Sequence, residues 1–152
     1  MKFTKYDEGT PCWTDLMTND IEKAKDFYSN VFGWEMYTNP SEDFGGYTTG
    51  QLDGEVVCGF MSTQGQEQPN AWNVYLATDN IDQTLEQVSA NGGNVVMDKM
   101  IVGEHGSMAV AQDPQGAFVS FWQAEKMIGS TIANEYNTVC WDELATSDLE
   151  GA

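Results

Sequence analysis

The sequence is short of basic residues. Its 152 residues include 6 Lys and Arg against 24 Asp and Glu, which gives a formal net charge of −18. A negative field of this size repels nucleic acids and anionic membranes, so we expect neither as a partner. The same field attracts cationic ligands. An acidic surface also keeps proteins soluble, for example in salty surroundings, and this general role explains the composition without any ligand.

Histidine and cysteine are also scarce. The one histidine, His105, lies between glycines in VGEHGS and is interpreted as an exposed turn residue rather than a base beside Glu104. The three cysteines, Cys12, Cys58 and Cys140, show no metal or disulfide spacing. Cys58 has no basic neighbour in sequence that would make it a nucleophile. We therefore expect core cysteines, no multi-histidine metal site and a reducing cytoplasm.

Long hydrophobic runs are missing too. No apolar run approaches the ~20 residues that a membrane-spanning helix needs. With 41% apolar and 12% aromatic residues, the composition is that of a globular chain. The length is sufficient for a domain with its own core, so we expect a folded cytoplasmic protein.

The most informative stretch is PCWTDLMTNDIEKAKDFYSNVFGW, residues Pro11 to Trp34. Alternation predicts a strand from Thr10 to Met17. Asn19 and Glu22 have the spacing of a capping box for the helix that follows, and Gly33 is placed to end it. The helix carries an apolar stripe of Ile21, Ala24, Phe27, Tyr28 and Val31.

This strand and helix start recur along the chain. Cys12–Ala24 aligns with Cys140–Ala152, with seven of thirteen positions identical, and Asn73–Gly93 is a fainter copy. The strand-helix-strand-strand-strand order occurs twice, which predicts an α+β fold made of two βαβββ units. The predicted boundaries are 8–63 for the first unit, 64–70 for a linker, 71–125 for the second unit and 126–152 for a tail that begins a third.

The repeated motifs resemble a known superfamily. TNDIEKAKDFYSNVFGW, TDNIDQTLEQVSANGG and DPQGAFVSFW are similar to the vicinal oxygen chelate proteins, which include glyoxalase I, extradiol dioxygenases and bleomycin-resistance proteins. PCWTDL together with VVCGF resembles the branch built from four such units, of which this chain would hold one pair and the start of a third. The resemblance implies an eight-stranded sheet curled around a ligand cavity.

Enzymes of the superfamily hold a divalent metal through four strand positions. The resemblance carries these positions onto Trp13, a residue near Phe60, Asn73 and Ser120, the last of which stands where DP-x-G-x-x-x-Glu would place an acid. None of these side chains is a strong ligand for a hard cation. The sequence therefore predicts no metal and no other cofactor.

The strand aromatics suggest a binding site. Alternation places Phe118, Ser120 and Trp122 on one face, where they could point inward together with Trp13. Asp15 shares the face of Trp13 and is either a general base or cation anchor, or a local capping group. Large aromatics on strands also fill cores, which is the alternative interpretation. The predicted ligand-binding residues are Trp13, Asp15, Phe60, Asn73, Met108, Phe118, Ser120 and Trp122.

Three functions remain open. The first is a metal-free binding protein that holds an apolar or cationic small molecule in an aromatic-lined cavity. The second is a metal-dependent lyase or dioxygenase-like enzyme, with no catalytic residue assigned. The third is a degenerate structural unit. We also predict a strand at Val139–Leu144 and a homodimer that uses tail residues 137–144, because an uncovered apolar edge favours pairing.

Overall fold

The computed structural model describes residues 1–65 and 69–151. Residues 66–68 of the predicted linker, and Ala152 of the tail, lie outside the described residues. The α+β fold class is confirmed: eight strands and two helices occur in the order β1–α1–β2–β3–β4 and β5–α2–β6–β7–β8. Their bounds are β1 Pro11–Thr18, α1 Ile21–Phe32, β2 Glu35–Thr38, β3 Thr48–Leu52, β4 Glu55–Ser62, β5 Ala71–Ala77, α2 Ile81–Ala90, β6 Asn94–Val102, β7 Gly106–Gln112 and β8 Phe118–Ala124.

The chain divides into two compact units. The first unit contains Met1–Thr4, Trp13–Asn73 and Ser130–Cys140, with the strand order β2-β3-β4-β1. The second contains Lys5–Cys12, Val74–Gly129 and the chain from Trp141, with the order β5-β8-β7-β6. In each unit the first strand pairs in parallel with the last one, and the other pairs are antiparallel.

Helix α1 begins one residue later than the capping-box prediction requires. The cap is Asp20, whose side chain accepts from the backbone N–H of Lys23 at 3.1 Å, so the assignment to Asn19 is wrong. Side-chain oxygens of Asp and Asn serve equally well at this position, which is why sequence alone did not separate them. The predicted end is confirmed, since Gly33 adopts φ 72° and its N–H donates to the carbonyl of Ser29.

The core of the first unit lies between α1 and the sheet. Its buried members are Leu16, Trp34, Val57, Cys58 and Phe60. From α1, Ile21, Ala24, Tyr28 and Phe32 pack against them. The predicted apolar stripe is therefore only partly right: Phe27 and Val31 are 58% and 50% exposed, and Phe32 takes the inner position.

In the second unit, α2 is tied to the sheet at its first residue. Ile81 is fully buried, and its backbone N–H donates to the side-chain carbonyl of Gln123 on β8. Asn80 caps the helix by accepting from the N–H of Gln83. The N-terminal end of a helix has unpaired N–H groups, so these two bonds satisfy donors that burial would otherwise leave without partners.

The tail does not form the predicted strand. Val139–Leu144 has no regular secondary structure, and Cys140, expected in a core, is exposed. The segment between β8 and Cys140 is nevertheless hydrogen-bonded to earlier residues of the same chain. Within the first unit, Trp34 donates its indole N–H to the carbonyl of Asn137 at 2.8 Å, and Ser130 donates to the carbonyl of Val57.

Neither helix in the described part of the chain is long and apolar enough to cross a lipid bilayer.

Candidate functional site

The pairing of β1 with β4 sets which side chains meet in the first unit. Asp15 lies opposite Gly59, and Leu16 lies opposite Phe60. Because neighbours along a strand point to opposite faces, Leu16 and Phe60 turn together into the core under α1, while Asp15 lies on the other face with Trp13. The register therefore places Phe60, a predicted ligand-binding residue, on the face opposite that of Trp13. Gly59 is the β4 residue on the Trp13 face.

On this face Tyr47 joins Trp13 to Asp15. The indole N–H of Trp13 donates to the phenolic oxygen of Tyr47 at 2.9 Å. The hydroxyl of Tyr47 in turn donates to Oδ2 of Asp15 at 3.0 Å. Trp13 and Asp15 are only 5% and 3% exposed, so these bonds lie in a low-dielectric environment that strengthens them. No sequence pattern indicated Tyr47 as a member of this group.

Asn73 completes the set from β5. Its amide nitrogen donates to Oδ1 of Asp15 at 2.9 Å, so each carboxylate oxygen accepts a bond from a neutral donor. The hydroxyl of Thr14, on the opposite face of β1, donates to the backbone carbonyl of Asn73 at 2.9 Å and fixes that segment beside β1. We call Trp13, Asp15, Tyr47 and Asn73 the Asp15 cluster.

Gly59 provides the space that Tyr47 occupies. A Cβ atom built on Gly59 would lie 2.0 Å from the phenolic oxygen of Tyr47 and 2.9 Å from the Trp13 ring. Atoms do not approach that closely, so any larger residue would displace the phenol. Since Gly59 has no positive φ, this is a requirement for space and not for backbone conformation.

The turn before β3 holds Tyr47 in place. Its N–H donates to the carbonyl of Phe44, and its carbonyl accepts from the N–H of Asn39, both at 2.9 Å. Gly45 and Gly46 precede it with φ values of 56° and 80°, a region that glycine enters without steric cost. The phenol is therefore presented by a turn that is hydrogen-bonded on both sides of the residue.

Cys58 and His105 are two further candidates from the sequence. Cys58 is fully buried on the opposite face, and burial together with the charge of Asp15 raises the pKa of its thiol well above the ordinary range. It is therefore a poor nucleophile, as expected. His105 lies in the second unit in the predicted turn but is half-buried, and its carbonyl accepts from the N–H groups of Glu125 and Met127.

The remaining predicted residues belong to the second unit. Ser120 and Trp122 are buried at 5% and 6% exposure, and Trp122 donates its indole N–H to the carbonyl of Met127 at 2.8 Å. Met108 is half-buried on β7, directly opposite Trp122. Phe118 is 65% exposed at the start of β8 and is not enclosed with the other two.

The second unit also contains a cavity of about 380 Å³. Of the predicted residues, Trp122 lines it. Other walls come from the N-terminal segment around Tyr6 and from Asp79 before α2. Burial raises the pKa of Tyr6 to about 12, so its phenol stays protonated at neutral pH.

The donor set does not fit a divalent metal. At the positions that the resemblance indicates, Trp13 and Asn73 donate hydrogen bonds, Gly59 replaces Phe60 on the relevant face, and Ser120 offers a hydroxyl where the resemblance places an acid. An indole N–H has no lone pair for a cation. Over residues 1–65 and 69–151, no three His, Cys, Asp or Glu side chains lie close enough together to hold a metal ion.

Sequence comparison places these motifs in context. A family model described as Glyoxalase/Bleomycin resistance protein/Dioxygenase superfamily matches residues 12–121. The chain is 41% identical over 149 residues to "Putative glyoxylase CFP32" of Mycobacterium bovis, covering 95% of this chain and 57% of that protein. It is 34% identical over 160 residues to "Anthracycline biosynthesis protein DauV" of Streptomyces sp. strain C5, covering 96% and 58%. The chain thus spans less than two thirds of these curated relatives.

Solved structures show the same fold at lower identity. The Mn(II)-bound glyoxalase from Novosphingobium aromaticivorans matches with a TM-score of 0.57 and 17% identity, over 85% of this chain and 44% of that one. A superfamily member from Vibrio splendidus matches with a TM-score of 0.52 and 19% identity, over 72% and 95%. The resemblance found in the motifs is confirmed, and the chain belongs to the Glyoxalase/Bleomycin resistance protein/Dioxygenase superfamily.

Proposed function

We propose that this chain is a metal-independent small-molecule binding protein of the glyoxalase type, which holds an apolar or cationic ligand at the Asp15 cluster. One observation carries the proposal: at the first-unit positions where the resemblance implies metal ligands, Trp13 and Asn73 donate their N–H groups instead. The indole nitrogen of Trp13 has no lone pair to offer a metal cation, and a neutral amide at Asn73 is a weaker ligand than a histidine or a carboxylate.

The composition supports the cationic part of the proposal. All six basic residues are lysines, and they are outnumbered four to one by Asp and Glu. With a net charge of −18, the protein attracts cations over long distances. The indole of Trp13 next to the carboxylate adds a ring face, which favours cationic groups that carry apolar substituents.

The first test is metal dependence. Protein purified without chelator should contain no stoichiometric Zn, Ni, Mn or Fe, and adding these ions should leave its melting temperature unchanged. Stoichiometric metal with a raised melting temperature would instead support the metal-dependent lyase or dioxygenase-like alternative.

The second test is ligand binding. Cationic and neutral aromatic compounds should quench tryptophan fluorescence in a saturable manner, and a ligand at 100 times its Kd should stabilise the folded state by about 2.7 kcal/mol. Asp15→Asn should weaken the binding of cations, whereas Asp26→Asn on the exposed side of α1 is the matched control and should not. If no compound quenches or stabilises the protein, the chain is a structural unit and the proposal is wrong.

A further inference from the structure

We propose that the cavity in the second unit is a second small-molecule site, which binds an amine that carries one aromatic ring or an apolar group of similar size. The inference goes beyond the function proposed above, because every residue that lines this cavity belongs to the second unit and none belongs to the Asp15 cluster. Three features support it, namely a wall held by backbone hydrogen bonds, an acidic lining and an apolar lining.

The cavity lies at the carboxyl ends of β5 and β8, which pair in parallel as far as Ala77 and Trp122. Another wall is the N-terminal segment Lys5–Glu8, which we call the strap. Two main-chain bonds of 2.9 Å attach the residues after the strap to β5, from the N–H of Gly9 to the carbonyl of Ala77 and from the N–H of Ala77 to the carbonyl of Thr10. The fold itself therefore forms the cavity.

A turn fixes the strap where it reaches the sheet. The carbonyl of Asp7 accepts from the N–H of Thr10 at 3.2 Å and from its hydroxyl at 2.6 Å. Gly9, inside this turn, adopts φ 80°, which glycine reaches without steric cost. These bonds hold the backbone of Asp7 and Glu8 beside the cavity, so their carboxylates remain close to it.

The charged side chains that line the cavity are mostly acidic. Asp7, Glu8 and Asp79 contribute three carboxylates. Lys5 contributes the one ammonium group of the lining, and its Nζ lies 3.5 Å from Oδ1 of Asp7. The formal charge of the walls is therefore negative, which attracts a cation and repels an anion.

The start of α2 does not reverse this preference. The N–H groups at the first turn of a helix bind anions when they lack partners. Here the N–H of Asn80 donates to the hydroxyl oxygen of Thr78 at 3.1 Å, and that of Ile81 donates to the side-chain carbonyl of Gln123 at 3.0 Å. The N–H of Gln83 donates to the side chain of Asn80 at 3.2 Å. Because these donors have acceptors within the unit, the cavity favours a positively charged ligand.

The rest of the lining includes apolar and aromatic groups, among them Tyr6, Trp122 and Ile128. Trp122 is 6% exposed, and its bond to the carbonyl of Met127 fixes the indole ring. Aromatic groups beside carboxylates favour an ammonium group that carries an apolar body. The volume of about 380 Å³ is at the lower end of the ~300–1,000 Å³ found for small-molecule sites, which limits that body to about one ring.

The first experiment compares 3-phenylpropylamine, 3-phenylpropan-1-ol and 3-phenylpropionate at pH 7, which share one body and differ in charge. In sequentially assigned ¹H–¹⁵N spectra, the indole N–H of Trp122 reports on the cavity and that of Trp13 reports on the Asp15 cluster. The amine should shift the Trp122 resonance in a saturable manner with a Kd of about 1 mM, and the alcohol and the acid should bind at least about tenfold more weakly. An unshifted Trp122 resonance, or equal binding of the amine and the alcohol, overturns the inference. A shift of the Trp13 resonance alone also overturns it and instead supports binding at the Asp15 cluster.

The second experiment separates the lining carboxylates from the overall field. Glu8→Gln combined with Asp79→Asn removes two carboxylates from the lining and should weaken amine binding about tenfold, because interactions with charged groups are the strong ones. Glu86→Gln combined with Asp98→Asn removes the same charge from exposed residues of the same unit that are not part of the lining, and should change binding less than about twofold. Equal weakening in the two double variants would mean that the long-range field alone attracts the amine, and the inference would be wrong.

The third experiment blocks the cavity. Ala124→Phe adds a ring at an exposed lining residue without replacing a buried group, and it should abolish the shift of the Trp122 resonance by the amine. Ala90→Phe, at an exposed residue of α2 that is not part of the lining, should leave that shift unchanged. Undiminished amine binding in Ala124→Phe overturns the inference.

Discussion

The chain contains one sequence motif twice. The first copy forms a buried strand, and the second copy is exposed and has no regular strand. Cys12–Ala24 and Cys140–Ala152 share seven of thirteen residues. In the first copy Cys12, Trp13 and Leu16 are 2%, 5% and 7% exposed in a strand. In the second, Trp141 and Leu144 are 75% and 49% exposed, and the residues around them have no regular structure.

The two copies share their apolar strand positions, and they differ in the segments that lie next to them. β1 pairs with β4 over Asp15–Thr18 and is covered by α1, whereas the tail has no paired strand in the described residues. Strand propensity reflects packing against cross-strand and same-face neighbours more than an intrinsic backbone preference. An alternating apolar pattern therefore specifies a strand only where a partner strand is present.

The largest expected difference concerns the paired leucines. Leu16→Ala should destabilise the protein by about 3 kcal/mol, because it removes a buried side chain and leaves a cavity beside Phe60. Leu144→Ala should change the free energy of unfolding by less than about 0.5 kcal/mol, as expected for an exposed residue. Urea denaturation of both variants measures this. Equal losses would mean that the tail is packed in solution, contrary to the exposure described above.

The paired tryptophans should differ less. Trp13→Phe removes the bond to Tyr47 and part of a buried ring, and should cost about 2 kcal/mol. Trp141→Phe should have no measurable effect on stability, and it should remove a red-shifted, solvent-exposed component from the fluorescence spectrum. A blue-shifted component lost in Trp141→Phe would show that the tail tryptophan is enclosed.

The paired cysteines should differ in how their ionisation affects stability at alkaline pH. Burial raises the pKa of Cys12 to about 12, so the native thiol stays protonated where the unfolded thiol ionises. Stability from this group is complete below about pH 8.5 and is lost as pH rises toward 12, by about 1.4 kcal/mol per pH unit. Cys12→Ala should reduce that slope, and Cys140→Ala should not.

At neutral pH iodoacetamide should label Cys140 alone, and labelling of Cys12 in the native state would contradict its burial.

The sequence predicted the secondary structure well where local signals exist. Repeats, glycine stops and alternation predicted the order of strands and helices that the structure shows, and they predicted the first strand within one residue of its ends. Apart from the tail strand that does not form, the errors concern choices that local signals leave equal: Asn19 or Asp20 as the cap, and Phe27 or Phe32 as the inner face of α1. Both pairs fit the helical period, and the packing of α1 on the sheet selects between them.

The candidate site was predicted in part. Trp13, Asp15 and Asn73 come together because each alternates onto the same face, and strand pattern alone indicated this for the first two. Phe60 was misplaced because a shift of one residue in register moves a side chain to the other face. Tyr47 carried no signal, because it lies in a turn 32 residues from the carboxylate that it contacts.

By itself, the sequence determined the order of strands and helices, the family, and the excess of negative charge, since these depend on local pattern, repeated motifs and composition. Only the tertiary structure decided that Gly59 faces Asp15, that Tyr47 occupies the space above it, and that the second copy of the motif stays open. Those outcomes depend on register and on neighbouring strands, which are contacts between residues far apart in the chain.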